Sequence, residues 1–272
     1  MIERPSQNFD ARAGRIDLVV LHYTGMQDAE TALRRLTDPA PLAGAYPGPW
    51  QAPDIDPATP LGRASAHYVV DEQGRVYRLV DESQRAWHAG AGLWEGREDV
   101  NSRAIGIEIV NGGHDFGLPP YADVQIDAVI ALLEDILDRH ALAPHRVIGH
   151  SDLAPQRKAD PGEHFPWRRL AGAGVSIWPQ HPPPRGAHAI FCKPGDRGEA
   201  VHTLHASLAA FGYAAPEDPT PRYAVYGEET RTLVTAFQRR FFPDRMDGVA
   251  RADVTAALDD LLEQIAEFED DD

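Results

Sequence analysis

Three β-rich apolar runs, each leading to a side chain that can bind a metal or move a proton, set the terms for this chain. Residues 16–22 (Ile-Asp-Leu-Val-Val-Leu-His) read as a buried strand that ends at His22 and a turn. Ala104 to Val110 is a second strand, with Glu108 set among branched apolar residues. Arg146 to Gly149 is a third, short run that leads straight into His150. Ala29 to Leu36 can form a short helix. From Val124 to His140, Ile126, Val129, Ile130, Leu133, Ile136 and Leu137 recur at helical spacing. Strands alternating with helices predict an α/β fold, a mixed central sheet flanked by helices. Ligands of such sheets gather in the crevice at the carboxyl ends of the strands, where His22, Glu108 and His150 are all expected.

The rest of the chain fits around that frame. Ala66–Val70 and Val76–Val80 flank Asp71-Glu-Gln-Gly74, a hairpin signal. Residues 38–62, rich in Pro and Gly, read as a long surface loop. Trp87 to Gly92 is an aromatic and glycine loop. The first domain is expected to span 1–178. Prolines make 179–188 a stiff linker. Residues 189–272 then form a small three-helix domain, with apolar faces in 200–211, 228–241 and 253–265 and a frayed acidic tail at 267–272.

The segment His150-Ser-Asp-Leu-Ala-Pro-Gln-Arg-Lys158-Ala-Asp160-Pro-Gly is a shaped loop, held by Pro155, Pro161 and Gly162. It carries an imidazole, an ammonium and a carboxylate. A catalytic zinc needs three protein ligands and one open position. His150 and Asp160 supply two, and His22 is the candidate third. Glu108 would move the proton, and Lys158 would steady a developing oxyanion. Together these parts describe metal-assisted amide hydrolysis; no serine–histidine pair or phosphate-binding glycine loop competes with them. Taken singly, each has an ordinary structural reading: a hydrogen-bonded strand-end histidine, a solvent-facing glutamate, a surface lysine. Spacing leaves both readings standing.

Composition narrows the class. The 272 residues carry a net charge of −16, the wrong sign for releasing counterions from duplex nucleic acid. A single cysteine, Cys192, excludes an internal disulfide and reads as a buried thiol. No apolar run is long enough to span a bilayer. The first residues lack the apolar core of a secretory signal, so the expected compartment is the cytoplasm, with the cell envelope as the alternative.

Several motifs occur together and in order: Val20-Leu-His-Tyr-Thr24, Ser65-Ala-His-Tyr68, Ala86-Trp-His-Ala-Gly90, Ser102-Arg-Ala-Ile-Gly-Ile-Glu108 and Gly149 through Gly162. Over roughly residues 15 to 178 the chain resembles the zinc-dependent N-acetylmuramoyl-L-alanine amidases of the peptidoglycan-recognition superfamily. The resemblance implies that fold, and a Zn2+ held by His22, His150 and Asp160, with Glu108 and Lys158 catalytic. It implies cleavage between the lactyl group of N-acetylmuramic acid, or its 1,6-anhydro form, and L-alanine of the stem peptide. Trp87, His88 and Asn101 would line the substrate groove. His67 would support the site without binding metal. His114, His140, His145 and His164 have no matching role and are expected on the solvated surface. Some relatives use a cysteine as third ligand; here that position is Asp160.

The second domain resembles the three-helix peptidoglycan-binding module, through Gly195-Asp-Arg-Gly-Glu-Ala-Val, Phe211-Gly-Tyr213, Tyr226-Gly-Glu-Glu-Thr230, Phe237-Gln238 and Asp247-Gly248. It departs at His205, where a glutamine is usual. The expected partner is a muropeptide or peptidoglycan, in wall turnover or recycling. The alternatives are a recognition protein that binds wall fragments without cutting them, and a zinc hydrolase of another amide.

Overall fold

The computed structural model describes residues 1–46, 48, 55–181 and 186–270. Its centre is a six-stranded sheet in the order β1-β5-β4-β7-β3-β8. These strands are β1 (Ile2–Glu3), β3 (Leu18–Tyr23), β4 (Tyr68–Val70), β5 (Val76–Arg78), β7 (Ala104–Ile109) and β8 (Val147–Gly149). All pairings are parallel except the β4–β5 hairpin, so the sheet is mixed, as expected. Two further strands, β2 (Phe9–Ala11) and β6 (Gln84–Ala86), form an antiparallel pair beside it.

Period-two alternation divides the central strands between two faces. Val19, Leu21, Ile105, Ile107 and Ile109 point to one face, where they pack with Ile126, Val129, Leu133 and Ile136 of helix α3 (Asp123–His140). Leu18, Val20 and Ala104 point to the other. On that second face lie α1 (Ala29–Thr37) and α4 (His150–Leu153), the latter starting where β8 ends. Short helices α2 (Val100–Arg103) and α5 (Trp167–Gly172) complete this part.

The C-terminal part contains α6 (Glu199–Phe211), α7 (Glu228–Phe241) and α8 (Ala252–Asp270), with β9 (Ile190–Cys192) paired to β10 (Ala250–Arg251). The three helices bury the stripes read from the sequence: Val201, Leu204, Leu208 and Phe211; Leu233, Val234, Phe237 and Phe241; Val254, Leu258 and Leu261. One apolar cluster joins them to Leu18, Val20, Trp94 and Ile148 of the sheet region. The helical unit is therefore packed onto the sheet's second face.

The structure departs from the sequence reading at His150–Leu153, where the expected loop begins as helix α4, and in the C-terminal part. The acidic tail does not fray at 267, because α8 continues to Asp270 while the Phe268 ring stacks on His145 at 5.7 Å. The stretch 179–188 is anchored at its described ends: Asp260 accepts from the backbone N–H groups of Gln180 and His181, and Ala187 and Ala189 accept from Asp253 and Ala252. Residues 182–185, the core of the predicted proline linker, lie outside the described residues, as do 47, 49–54 of the long surface loop.

Candidate metal centre and active site

Parallel register brings the site together. His22 of β3 is the direct partner of Glu108 of β7, and Leu21 partners Gly149 of β8, one residue before His150. Glu108, His22 and His150 thus sit side by side at the carboxyl ends of three adjacent parallel strands. Alternation puts His22 and Glu108 on the second face, under the cleft between α1 and α4. Asp160 returns from the loop after α4, its carbonyl accepting from Ser151 N–H at 2.9 Å.

Three donor atoms converge there. His22 Nδ1 lies 2.9 Å from His150 Nδ1 and 3.0 Å from Asp160 Oδ2, and His150 Nδ1 lies 2.9 Å from that same oxygen. All three residues are buried. His150 donates its Nε2–H to the carbonyl of Ala89 at 2.8 Å, so in the neutral ring Nδ1 is a bare lone pair. One proton on His22 Nδ1 could serve only part of this triangle, whereas a cation serves every corner. His22 Nε2 meets His88 Nδ1 at 3.0 Å, an outer hydrogen bond of the kind that would orient this imidazole toward a metal. Burial, with His150 beside it, lowers the His22 pKa to about 4, leaving the neutral ring a metal requires. Burial opposes ionisation of Asp160, but His150 and His22 overcome it and hold its carboxyl well below the usual range. Among the described residues this is the one such cluster of His, Cys and carboxylate groups. Its two nitrogens and one hard oxygen suit a borderline divalent ion.

The cluster opens into a cleft of about 450 Å³, walled also by Glu108, Lys158, Trp87, Arg35 and His114. Glu108 is half-buried, and its Oε2 is sealed from solvent without a hydrogen-bond partner among the described residues. Burial, reinforced by Asp160, raises its pKa to about 8, against the pull of Lys158 and Arg35. A carboxyl in this state can both take and give a proton near neutrality.

The comparisons with known proteins bear on this geometry. Residues 12–163 match the N-acetylmuramoyl-L-alanine amidase family, which is more than half of the chain. The chain belongs to the N-acetylmuramoyl-L-alanine amidase family. Residues 197–258 match the peptidoglycan binding domain. The amidase is 34% identical over 268 residues to N-acetylmuramoyl-L-alanine amidase AmiD of Escherichia coli, covering 92% of this chain and 83% of that one. It is 31% identical to 1,6-anhydro-N-acetylmuramyl-L-alanine amidase AmpD of Haemophilus influenzae, over 60% of this chain and 86% of that one. A solved structure of E. coli AmiD, in complex with the substrate anhydro-N-acetylmuramic acid-L-Ala-D-gamma-Glu-L-Lys, superposes with a TM-score of 0.71 at 33% identity, covering 93% and 92% of the two chains.

Within this amidase, the residues expected at the groove divide. Trp87 lines the cleft, with the Arg63 guanidinium 4.8 Å from its ring. His88 reaches the cleft wall, yet its Nδ1 is engaged by His22. Asn101 is not on the wall: it is buried, and its Oδ1 accepts from the backbone N–H groups of His88 and Ala89. Its side-chain oxygen fixes the loop that carries the histidine, by accepting from two backbone donors. His67, fully buried, accepts at Nδ1 from Gly106 N–H and packs 5.8 Å from the His88 ring, a supporting position.

Of the histidines expected on the surface, His114 and His164 are exposed, while His140 and His145 are half-buried. His114 is exposed but lines the cleft: Tyr23 donates its hydroxyl to His114 Nδ1 at 3.0 Å, and His114 Nε2 contacts Glu163 at 3.1 Å. His140 is tied to Glu82 at 2.7 Å, and His164 to the Leu118 carbonyl at 2.8 Å. His205, the departure in the helical unit, is buried between Asp218 and Thr230, each at 2.7 Å. Cys192 is buried, with its thiol pushed up to about 12 by desolvation.

Two contributors to the site were not singled out from the sequence. Gly106 lies in β7 directly beneath His88; a Cβ there would sit 2.4 Å from the His88 ring. A glycine inside an apolar strand is the available signal, since it marks a close approach. Arg157 donates through Nε to the Ala91 carbonyl at 2.8 Å, tying the loop of Asp160 to the loop of His88. Nothing in its sequence context distinguishes it from a surface arginine.

Proposed function

We propose that this amidase hydrolyses the amide between the lactyl group of N-acetylmuramic acid, in particular the 1,6-anhydro form, and L-alanine of the stem peptide. The observation that carries the reading is the placement of Glu108 beside the His22–His150–Asp160 cluster in one cleft. The substrate follows from the relatives: AmiD is solved with an anhydro-muropeptide substrate, and AmpDh3 of Pseudomonas aeruginosa with anhydromuramic pentapeptide, at a TM-score of 0.69 and 30% identity over 93% of each chain.

His22 Nδ1, His150 Nδ1 and Asp160 Oδ2 would hold the metal, and zinc fits this donor set. Bound there, it supplies a Lewis acid that lowers the pKa of water and polarises the amide carbonyl. Glu108 accepts the proton released by the attacking water and returns it to the alanine nitrogen as the C–N bond breaks. The products are the lactyl carboxylate and a free stem peptide. Lys158, half-buried on the cleft wall, presents a fixed positive charge to the carbonyl oxygen as it becomes anionic. His88, held by Asn101, keeps the His22 ring turned so that Nδ1 faces inward.

The test is release of L-alanyl peptides from purified anhydro-muropeptide and from intact sacculi, each with and without a chelator. Chelator-sensitive release supports the reading, and the ratio between the substrates reports whether the soluble fragment is preferred. Binding without release would leave a recognition protein. Release that persists in chelator would remove the metal from the reaction. No helix among the described residues is long and apolar enough to cross a membrane.

A further inference from the structure

The helical unit reaches the metal loop through a buried polar junction centred on Asp152. This residue lies two positions after His150, on α4, and its side chain is closed off from solvent. Its Oδ2 accepts from Gly149 N–H at 2.8 Å, fixing the backbone at the step from β8 into α4. The same oxygen accepts from Arg240 Nη1 of α7 at 3.1 Å, and Oδ1 accepts from the hydroxyl of Tyr213, just past α6, at 2.7 Å. Both partners belong to the C-terminal helical unit, and both are buried.

Arg240 does more than pair with Asp152. Its Nη2 donates to the Val147 carbonyl of β8 at 3.1 Å and to Ser176 Oγ at 3.3 Å, and its guanidinium lies 4.2 Å from the Trp167 ring centre. Tyr213 is held in turn by Trp94 and Phe211, at ring separations of 5.4 and 5.8 Å. A buried carboxylate with an arginine and a phenol locked on it has one favourable orientation, because any rotation leaves a buried polar group unpaired. That orientation fixes Gly149 N–H, and with it the backbone that sets the direction of the His150 ring. Gly149 has no slack: a Cβ there would meet Pro161 at 2.9 Å, on the other arm of the metal loop.

We propose that Tyr213 and Arg240 are positioning residues for the metal site, so that the helical unit serves as a fixed brace of the amidase centre through Asp152. The proposal rests on the metal-site reading above. A module that only tethered the enzyme to the wall would have no need of a buried charge pair against the helix that carries a metal ligand.

The experiment is zinc affinity of the full chain, by competition with a chelator of known affinity well below the melting temperature. Wild type, Tyr213→Phe, Arg240→Met and Leu261→Ala are compared, with His150→Ala as the reference for a lost ligand. Tyr213→Phe removes one hydroxyl and keeps the packed ring, so it stays folded even if Arg240→Met does not. The expected result is zinc affinity weakened roughly tenfold in Tyr213→Phe and roughly 10- to 100-fold in Arg240→Met. Leu261→Ala, a core truncation on α8 that removes none of the hydrogen bonds to Asp152, lowers the melting temperature and leaves zinc affinity unchanged. Affinities within twofold of wild type in both junction variants would overturn the proposal. An equal loss in Leu261→Ala would overturn it too, since the effect would then be general loosening. If wild type itself bound no zinc, or His150→Ala bound it equally well, the metal-site reading would fall instead.

Discussion

His22 and Glu108 are register partners on neighbouring parallel strands, so an imidazole of the candidate metal cluster and a carboxyl whose Oε2 has no hydrogen-bond partner among the described residues face the same cleft side by side. Neither residue chooses this arrangement alone. It follows from the pairing of Leu18 with Ala104, which carries both strands in step to their carboxyl ends, and from alternation, which turns every second side chain to the cleft. A one-residue slip would send one of them into the apolar layer under α3.

Glu108→Gln keeps the volume and removes the proton shuttle. Turnover of anhydro-muropeptide is expected to fall by roughly 100- to 10,000-fold, with zinc content per chain unchanged. Steady-state kinetics paired with elemental analysis checks both halves. Loss of zinc together with activity would reassign Glu108 to metal binding.

In the metal-free protein the same carboxyl should make stability depend on pH. Burial first, then Asp160, raises its folded pKa to about 8 from 4.5. The unfolded chain therefore releases this proton earlier than the folded one, so stability is full below about pH 4.5 and falls as pH rises through about 8. At pH 8.5, metal-free Glu108→Gln should be more stable than metal-free wild type by on the order of a few kcal/mol, with the gap closing at pH 4.5. Urea denaturation of the two proteins at both pH values measures it. A gap that is the same at both would show that Glu108 does not titrate in this window.

Lys158→Ala removes one cation of the cleft wall without touching a proposed ligand atom. Turnover should drop roughly 100- to 1000-fold while zinc content stays at wild-type level. Turnover equal to wild type would exclude Lys158 from stabilising the oxyanion.

Gly106→Ala is a small change with a specific consequence. The added methyl would lie 2.4 Å from His88, which must move, and with it the contact to His22 Nε2. Overpacking of this kind costs roughly 1–3 kcal/mol, and zinc affinity should weaken alongside stability. Thermal melts and chelator competition read the two effects. Wild-type zinc affinity in this variant would mean that His88 does not orient His22.

Much of this was legible in the sequence because the signals are local. Apolar runs gave the central strands, spacing gave α3 and the three C-terminal helices, and the segment from His150 to Gly162 displayed the imidazole and the carboxylate that converge with His22. Other parts depend on side chains far apart in the chain. Asn101 looks like a groove residue from its motif, but the carbonyl oxygen of its side chain is spent on two backbone N–H groups thirteen and twelve positions back. His114 looks like surface and is exposed, yet Tyr23, brought up by β3, makes it part of the cleft. The prolines after Trp178 suggest separation, while the docking of the helices is decided by apolar side chains and by Arg240, whose partner lies 88 residues away. Such pairings have no periodicity to announce them.

The central claim is that His22, His150 and Asp160 hold one zinc ion, and X-ray absorption at the zinc edge on the purified protein tests it most directly. Two imidazole nitrogens with oxygen ligands, all at about 2.0–2.2 Å, is the predicted first shell. A sulfur ligand at about 2.3 Å, which only Cys192 or a methionine could supply, or a purified active enzyme with no zinc bound, would contradict it.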